Sequence, residues 1–159
     1  MYLMYADEAD QDAVDKKFLI YGAIYIPSTS ALELSNRISS LRGQFGFEPD
    51  DKLKFSTGTI PAHVSRKDHA ALKSELLSAA ADTDVRAVCY VVQHDVAKNQ
   101  SKETKLKWAI NTLTYNFQKF LKTNGAACGC MFFDRTTDYH QEEYLKEIGS
   151  GPINQLEAS

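Results

Sequence analysis

Short apolar runs in this chain predict β-strands. Two such runs are Tyr2–Ala6 and Phe18–Ile26, of which the second is richer in aromatic and β-branched residues, and the polar stretch between them suits an antiparallel hairpin. Val85–Val92 and Ala127–Phe133 predict two later strands, of which Val85–Val92 is expected to be buried. A further short strand is expected at Leu53–Ser56. The pattern therefore predicts one hairpin followed by separate strands.

Apolar residues at helical spacing separate these strands. Ser30 and Glu33 have the spacing of a capping box, which predicts a helix from about Ala31 to Phe45. Ser65 and Asp68 are expected to open a second helix. Asp138 is expected to cap a last helix at roughly Tyr139 to Ile148.

The longest helix is expected at Lys102 to Lys122, followed by Gly125 as a left-handed C-cap. Its apolar residues form one continuous stripe that should be buried against the sheet, while three of its lysines should stay in water. The predicted stripe is Leu106, Ile110, Leu113, Phe117 and Leu121, and the predicted exposed lysines are Lys105, Lys119 and Lys122.

Together these elements predict an α/β fold with a mixed β-sheet and packed helices. The first strand should lie between Phe18–Ile26 and a later parallel strand. The length of 159 residues is typical of a single domain. The sequence shows no internal repeat or linker, so residues 1–159 are expected to form one domain.

Composition narrows the class of protein. The chain is 43% hydrophobic and 25% charged, as in ordinary globular proteins. No segment has the apolar length of a membrane helix, so no membrane association is expected. The net charge of -3 argues against a strongly basic nucleic-acid coat protein but is compatible with a nuclease that binds phosphate through cations.

Three cysteines cannot all pair with one another. Cys89, Cys128 and Cys130 are therefore expected to be free thiols in a reducing cytoplasm. Cys128 and Cys130 lie two residues apart on a predicted strand and share one face. Without further ligands at zinc-binding spacing, they are expected to be buried in the core.

Two acidic residues follow predicted strands directly, namely Asp7 and Asp134. If those strands are neighbours, both carboxylates lie at one edge of the sheet and can share a cation. Carboxylate oxygens suit Mg²⁺ or Mn²⁺. The alternative is that each aspartate begins a solvated turn. The sequence leaves both interpretations open.

Lys52 and Lys54 lie on one face of the predicted strand Leu53–Ser56. They are interpreted either as lysines of an exposed edge strand or as cations that steady developing negative charge near the carboxylates. The four histidines, His63, His69, His94 and His140, show no catalytic spacing and are expected to be non-catalytic.

Several of these pieces resemble the domain of unknown function 3800 family. The matching segments are Asp7-Glu8-Ala9-Asp10, the strand from Phe18 through Pro27, Leu53-Lys54-Phe55, and Met131-Phe132-Phe133-Asp134. The resemblance spans about the whole chain. It implies a ribonuclease H-like fold, a bacterial or phage source and a metal-dependent nuclease that acts on nucleic-acid phosphodiesters.

Carried over by position, the resemblance makes Asp7 and Asp134 catalytic ligands of Mg²⁺ or Mn²⁺, Glu8 a further metal ligand and Lys54 a catalytic accessory residue. Lys52 stands where the family usually has a glutamate, and the chain stops at Ser159 before the family's C-terminal acidic helix. The sequence therefore predicts a nuclease-like domain shortened at its C-terminus. The alternative is an interaction module that keeps the fold and has lost the active site.

Overall fold

The computed structural model describes residues 1–9, 17–54 and 57–134. Four strands and three α-helices lie in this part of the chain, with a short 3-10 turn at Thr57–Thr59. In chain order they are β1 (Tyr2–Ala9), β2 (Phe18–Pro27), α1 (Ser28–Gln44), α2 (Arg66–Asp82), β3 (Arg86–Gln93), α3 (Lys102–Thr123) and β4 (Gly129–Phe133). The predicted helix at Tyr139 to Ile148 lies outside the described residues.

The chain divides into two compact units. A helical unit contains Met1–Tyr2 and Ile26–Arg86, and a sheet unit contains Leu3–Tyr25 and the chain from Ala87 onward. The prediction of one domain over residues 1–159 stays a prediction. No helix in the described part of the chain is long and apolar enough to cross a membrane.

The strands form one sheet in the order β3-β2-β1-β4. The first strand thus lies between its predicted hairpin partner and a later strand, as expected. The Tyr5 and Phe132 rings stack at a centroid distance of 4.9 Å, and the Asp134 backbone N–H donates to the Ala6 carbonyl oxygen at 2.9 Å. From the first contact to the second, the residue numbers rise on both strands, which is the pattern of a parallel pair. The predicted mixed α/β sheet is confirmed.

The sheet has two chemically different faces. On the inner face, Met4, Leu19 and Tyr21 are buried. On the outer face, the alternate residues Tyr5 and Phe132 are exposed. This alternation is typical of a sheet that is covered on one side.

Helix α3 packs on the inner face. Phe117 is only 2% exposed, and its ring contacts that of Tyr25 at a centroid distance of 5.0 Å. A Cβ atom added to Gly129 would lie 2.6 Å from the Phe117 ring, closer than unbonded atoms approach. The absence of a side chain at Gly129 therefore allows α3 to lie close to β4.

The predicted bounds and stripe of α3 are largely confirmed. Leu106, Ile110, Leu113 and Phe117 are buried, whereas Leu121 is half-buried. Lys119 and Lys122 are exposed as predicted, but Lys105 is buried. Lys105 is next to Leu106, and the methylene stem of a lysine can cover apolar surface. Gly125 has φ 62°, as expected for a left-handed C-cap.

The helical unit has its own core, in which Leu72 and Leu76 of α2 are buried with Phe47 and Val64. Helix α2 begins as predicted, because the Ser65 side chain accepts a hydrogen bond from the Asp68 N–H at 3.0 Å. This cap and the buried apolar face together fix the helix.

Helix α1 begins earlier than predicted. It starts at Ser28, directly after β2, and no side chain caps it. The Ser28 N–H instead donates to the Met1 carbonyl oxygen at 3.1 Å. A backbone partner thus satisfies this N–H in place of a side-chain cap. Ser30 lies in the first helical turn and not before it, so its predicted capping role is wrong.

Two other expectations about strands are wrong. Strand β3 was expected to be buried, yet its residues alternate between exposed and half-buried. Among the described strands it is at one end of the sheet, so one of its edges has no neighbouring strand in that part of the chain. Residues 51–54 do not form the expected strand, and residues 55–56 lie outside the described part of the chain.

The three cysteines are free, as predicted. Cys128 and Cys130 are exposed, however, so the expectation of buried thiols is wrong. Cys128 precedes β4, and Cys130 lies on the outer face of that strand beside the exposed Phe132. The alternation of the strand thus places Cys130 away from the core.

Candidate functional site

Asp7 and Asp134 meet on neighbouring strands. Asp134 follows β4 directly, as predicted, but Asp7 lies within β1 because strand pairing continues past Ala6. The backbone bond from Asp134 to Ala6 sets a register in which Asp134 lies opposite Asp7. Neighbouring strands are about 4.8 Å apart. The two carboxylates therefore extend side by side from the outer face.

Both carboxylates of this pair are accessible to solvent, and both line one cavity on the outer face. One Asp7 carboxylate oxygen accepts a hydrogen bond from the Glu8 N–H at 2.8 Å, which restrains the side chain. Mg²⁺ is usually held by one or two carboxylates, with water and substrate phosphate as its other ligands. The donor set of Asp7 and Asp134 fits this kind of cation.

Glu8 is adjacent to Asp7 and lies on the other side of the strand by alternation. Burial, above all, and the negative charges of Asp7 and Asp134 raise the pKa of the Glu8 carboxyl above 4.5, while its own backbone N–H and Lys102 oppose the rise. In residues 1–9, 17–54 and 57–134, no group of three His, Cys, Asp or Glu side chains could hold a metal. Of the three predicted metal ligands, the structure therefore brings together two, Asp7 and Asp134.

The raised pKa of Glu8 predicts a pH dependence of stability in the absence of divalent cations. Glu8 therefore makes its full contribution to the free energy of unfolding below pH 4.5, where its carboxyl is protonated. This contribution is lost as the pH rises through the folded-state pKa. Glu8→Gln should therefore gain stability relative to the wild type as the pH rises from about 4 to 7. Urea unfolding across this range measures the difference. Glu75→Gln, at an exposed position, is the control, and a Glu8→Gln difference independent of pH would contradict the prediction.

Lys54 belongs to the helical unit and is exposed. Its backbone carbonyl oxygen lies 2.8 Å from the His69 ring Nε2, which donates to it. His69 is on α2 and is 2% exposed, so it is a core histidine whose hydrogen bond holds the backbone at Lys54 against α2. The catalytic role of Lys54 stays a prediction.

Of the other histidines, His63 has its Nε2 atom 3.0 Å from a carboxylate oxygen of Asp51, at the surface of the helical unit. His94 is buried. His140 lies outside the described residues. The expectation that the histidines are non-catalytic stays a prediction.

The sequence-based prediction missed the cavity beside the acidic pair. It has a volume of about 670 Å³, and its lining residues include Gly22, Cys89, Tyr5 and Ile24. A glycine inside a strand pattern often marks a close approach by a ligand or another backbone. Gly22 in the run FLIYGAIYI was therefore the signal that could have indicated it.

The comparisons with known proteins include a distant structural likeness. No protein-family model matches the sequence, and no curated protein matches it significantly. The chain is similar to the crystal structure of Aquifex aeolicus RNase H3, with 17% sequence identity and a TM-score of 0.31. The match covers 86% of this chain and 45% of that one, so this chain spans less than half the length of that neighbour. The interpretation of the two carboxylates therefore depends on the geometry of this chain.

Proposed function

We propose that this chain is a nuclease-like domain that hydrolyses phosphodiesters with the help of Mg²⁺ or Mn²⁺. The observation that carries the proposal is the juxtaposition of Asp7 and Asp134, which lie opposite each other on two adjacent strands and on the same face. The ribonuclease H-like class implied by the family resemblance belongs to the same proposal.

In this proposal Asp7 and Asp134 hold the cation, and the strands keep their carboxylates in position before substrate arrives. A bound ion supplies charge stabilisation to the phosphoryl oxygens and activates water for attack. The Glu8 N–H orients the Asp7 carboxylate by its hydrogen bond. The open outer face leaves room for a phosphodiester to approach both aspartates.

The test is metal-dependent stabilisation. Mg²⁺ at ten times its Kd should stabilise the wild type by about 1.4 kcal/mol, because it binds only the folded chain. Asp7→Asn and Asp134→Asn should each lose most of this gain. Thermal unfolding in EDTA, MgCl₂ and MnCl₂ measures it, and Mg²⁺-dependent cleavage of a chromogenic phosphodiester measures activity.

Asp95→Asn is the matched control, since it removes the same charge from an exposed aspartate of the same unit that does not line the cavity. It should keep the full stabilisation by Mg²⁺. If Mg²⁺ stabilises none of these proteins, or stabilises all four equally, the metal assignment is wrong and the aspartates are surface residues.

A second candidate is the interaction module without catalysis. The exposed apolar residues of the outer face favour it, since Tyr5, Ile24, Val91 and Phe132 are all more than one-third exposed. This candidate predicts that Mg²⁺ has no effect on stability and that the aspartate variants leave partner binding intact. The same metal titration therefore separates the two functions.

A further inference from the structure

The cavity on the outer face, which we call the slot, includes small residues of β2 and β3 in its lining. Gly22 of β2 contributes no side chain, and Cys89 of β3 contributes a short one. A Cβ atom added at Gly22 would meet only the Asp7 carbonyl oxygen, at 4.0 Å. The space above Gly22 is therefore open, and a flat group can lie close to the backbone there.

An aromatic pair forms one wall of the slot. The rings of Tyr5 and Phe132 stack with an interplanar angle of 15°, and the two residues are 44% and 46% exposed. Ile24 lines the slot from β2. Exposed aromatic rings beside an apolar floor are the surfaces on which unpaired nucleobases stack in proteins that bind single strands.

The acidic pair lines the same slot. Asp7 follows Tyr5 by two residues on the same face of β1, and Asp134 follows Phe132 in the same way on β4. Two residues along a strand span about 6.6 Å. A single nucleotide, whose base and phosphate are joined through one sugar, can therefore place its base in the slot and its phosphate at the aspartates.

We propose that the slot lined by Tyr5, Gly22 and Ile24 holds an unpaired nucleobase of a single-stranded nucleic acid, with the adjoining phosphodiester at Asp7 and Asp134. The inference rests on the proposed function, because a cation at the aspartates supplies the charge that attracts the phosphate. A duplex covers its base faces by stacking and keeps them from the slot. The chain should therefore prefer single strands.

The test fills the slot without touching the aspartates. Gly22→Val should keep the fold, since the added Cβ has space and valine suits a strand. Its affinity for a fluorescein-labelled eight-nucleotide oligothymidine in MgCl₂, measured by anisotropy on intact probe, should fall roughly 5- to 150-fold, the range expected for one lost stacking contact. Tyr5→Leu removes the aromatic wall and should weaken binding in the same direction.

Cys130→Val is the matched control, because it adds bulk to the same face on β4 at a residue that does not line the cavity. It should bind the oligonucleotide as the wild type does. All three variants should keep the stabilisation by Mg²⁺. A wild type that Mg²⁺ does not stabilise would refute the proposed function. The slot is tested separately, by the affinity for the oligonucleotide.

Three results would overturn the slot assignment while the metal site stands. The first is wild-type affinity in Gly22→Val and Tyr5→Leu. The second is binding of the matching duplex as tight as that of the single strand. The third is that the wild type self-associates in sedimentation velocity, whereas Gly22→Val is monomeric and binds the oligonucleotide with unchanged affinity. The outer face would then be a contact between copies of this chain.

Discussion

Phe117→Ala should lower the free energy of unfolding by about 3–5 kcal/mol. The Phe117 ring is buried between α3 and the sheet, where it contacts Tyr25. Its loss leaves a cavity that Gly129, without a side chain, does not fill. Chemical unfolding followed by circular dichroism measures the change.

Tyr115→Ala is the control for this substitution, because Tyr115 lies on the same helix and is 54% exposed. Surface substitutions usually change stability by less than about 0.5 kcal/mol. A loss below about 1 kcal/mol in Phe117→Ala would mean that the ring does not pack against the sheet.

Leu72→Ala should destabilise the helical unit by about 2–5 kcal/mol. The Leu72 side chain is 0% exposed and lies in the cluster with Phe47, Val64 and Leu76. Removing it takes apolar surface out of this cluster and leaves a cavity among its neighbours. The free energy of unfolding is again read from chemical denaturation of the whole chain.

Leu77→Ala makes the same chemical change on the same helix at a position that is 64% exposed. It should change stability by no more than about 0.5 kcal/mol. Equal losses from the two leucines would show that the buried face of α2 has been assigned incorrectly.

The sequence predicted best where local signals and packing agree. The stripe of α3 and the Ser65 cap of α2 were predictable because helical spacing and a side-chain hydrogen bond are both local properties. The start of α1 was not, because the partner of the Ser28 N–H is the carbonyl of Met1, far away in sequence. The exposure of β3 was also missed, since an apolar run does not reveal whether a strand has one neighbour or two.

The candidate site was predictable only in part. The position of Asp134 at a strand end follows from the apolar run before it, and this was correct. That Asp7 lies opposite it depends on the register of β1 and β4, which a distant pairing sets. The slot over Gly22 depends on the order of the strands, because its floor comes from β2 and β3 and its aromatic wall from β1 and β4.

The contact between Gly129 and the Phe117 ring has a consequence for how this sequence can change during evolution. The ring occupies the volume that any side chain at position 129 would need. A relative that acquires a larger residue at 129 must therefore carry a smaller one at 117, so these two positions, twelve residues apart along the chain, should vary together. Substitutions at one of them alone should be rare among sequences that keep α3 this close to β4.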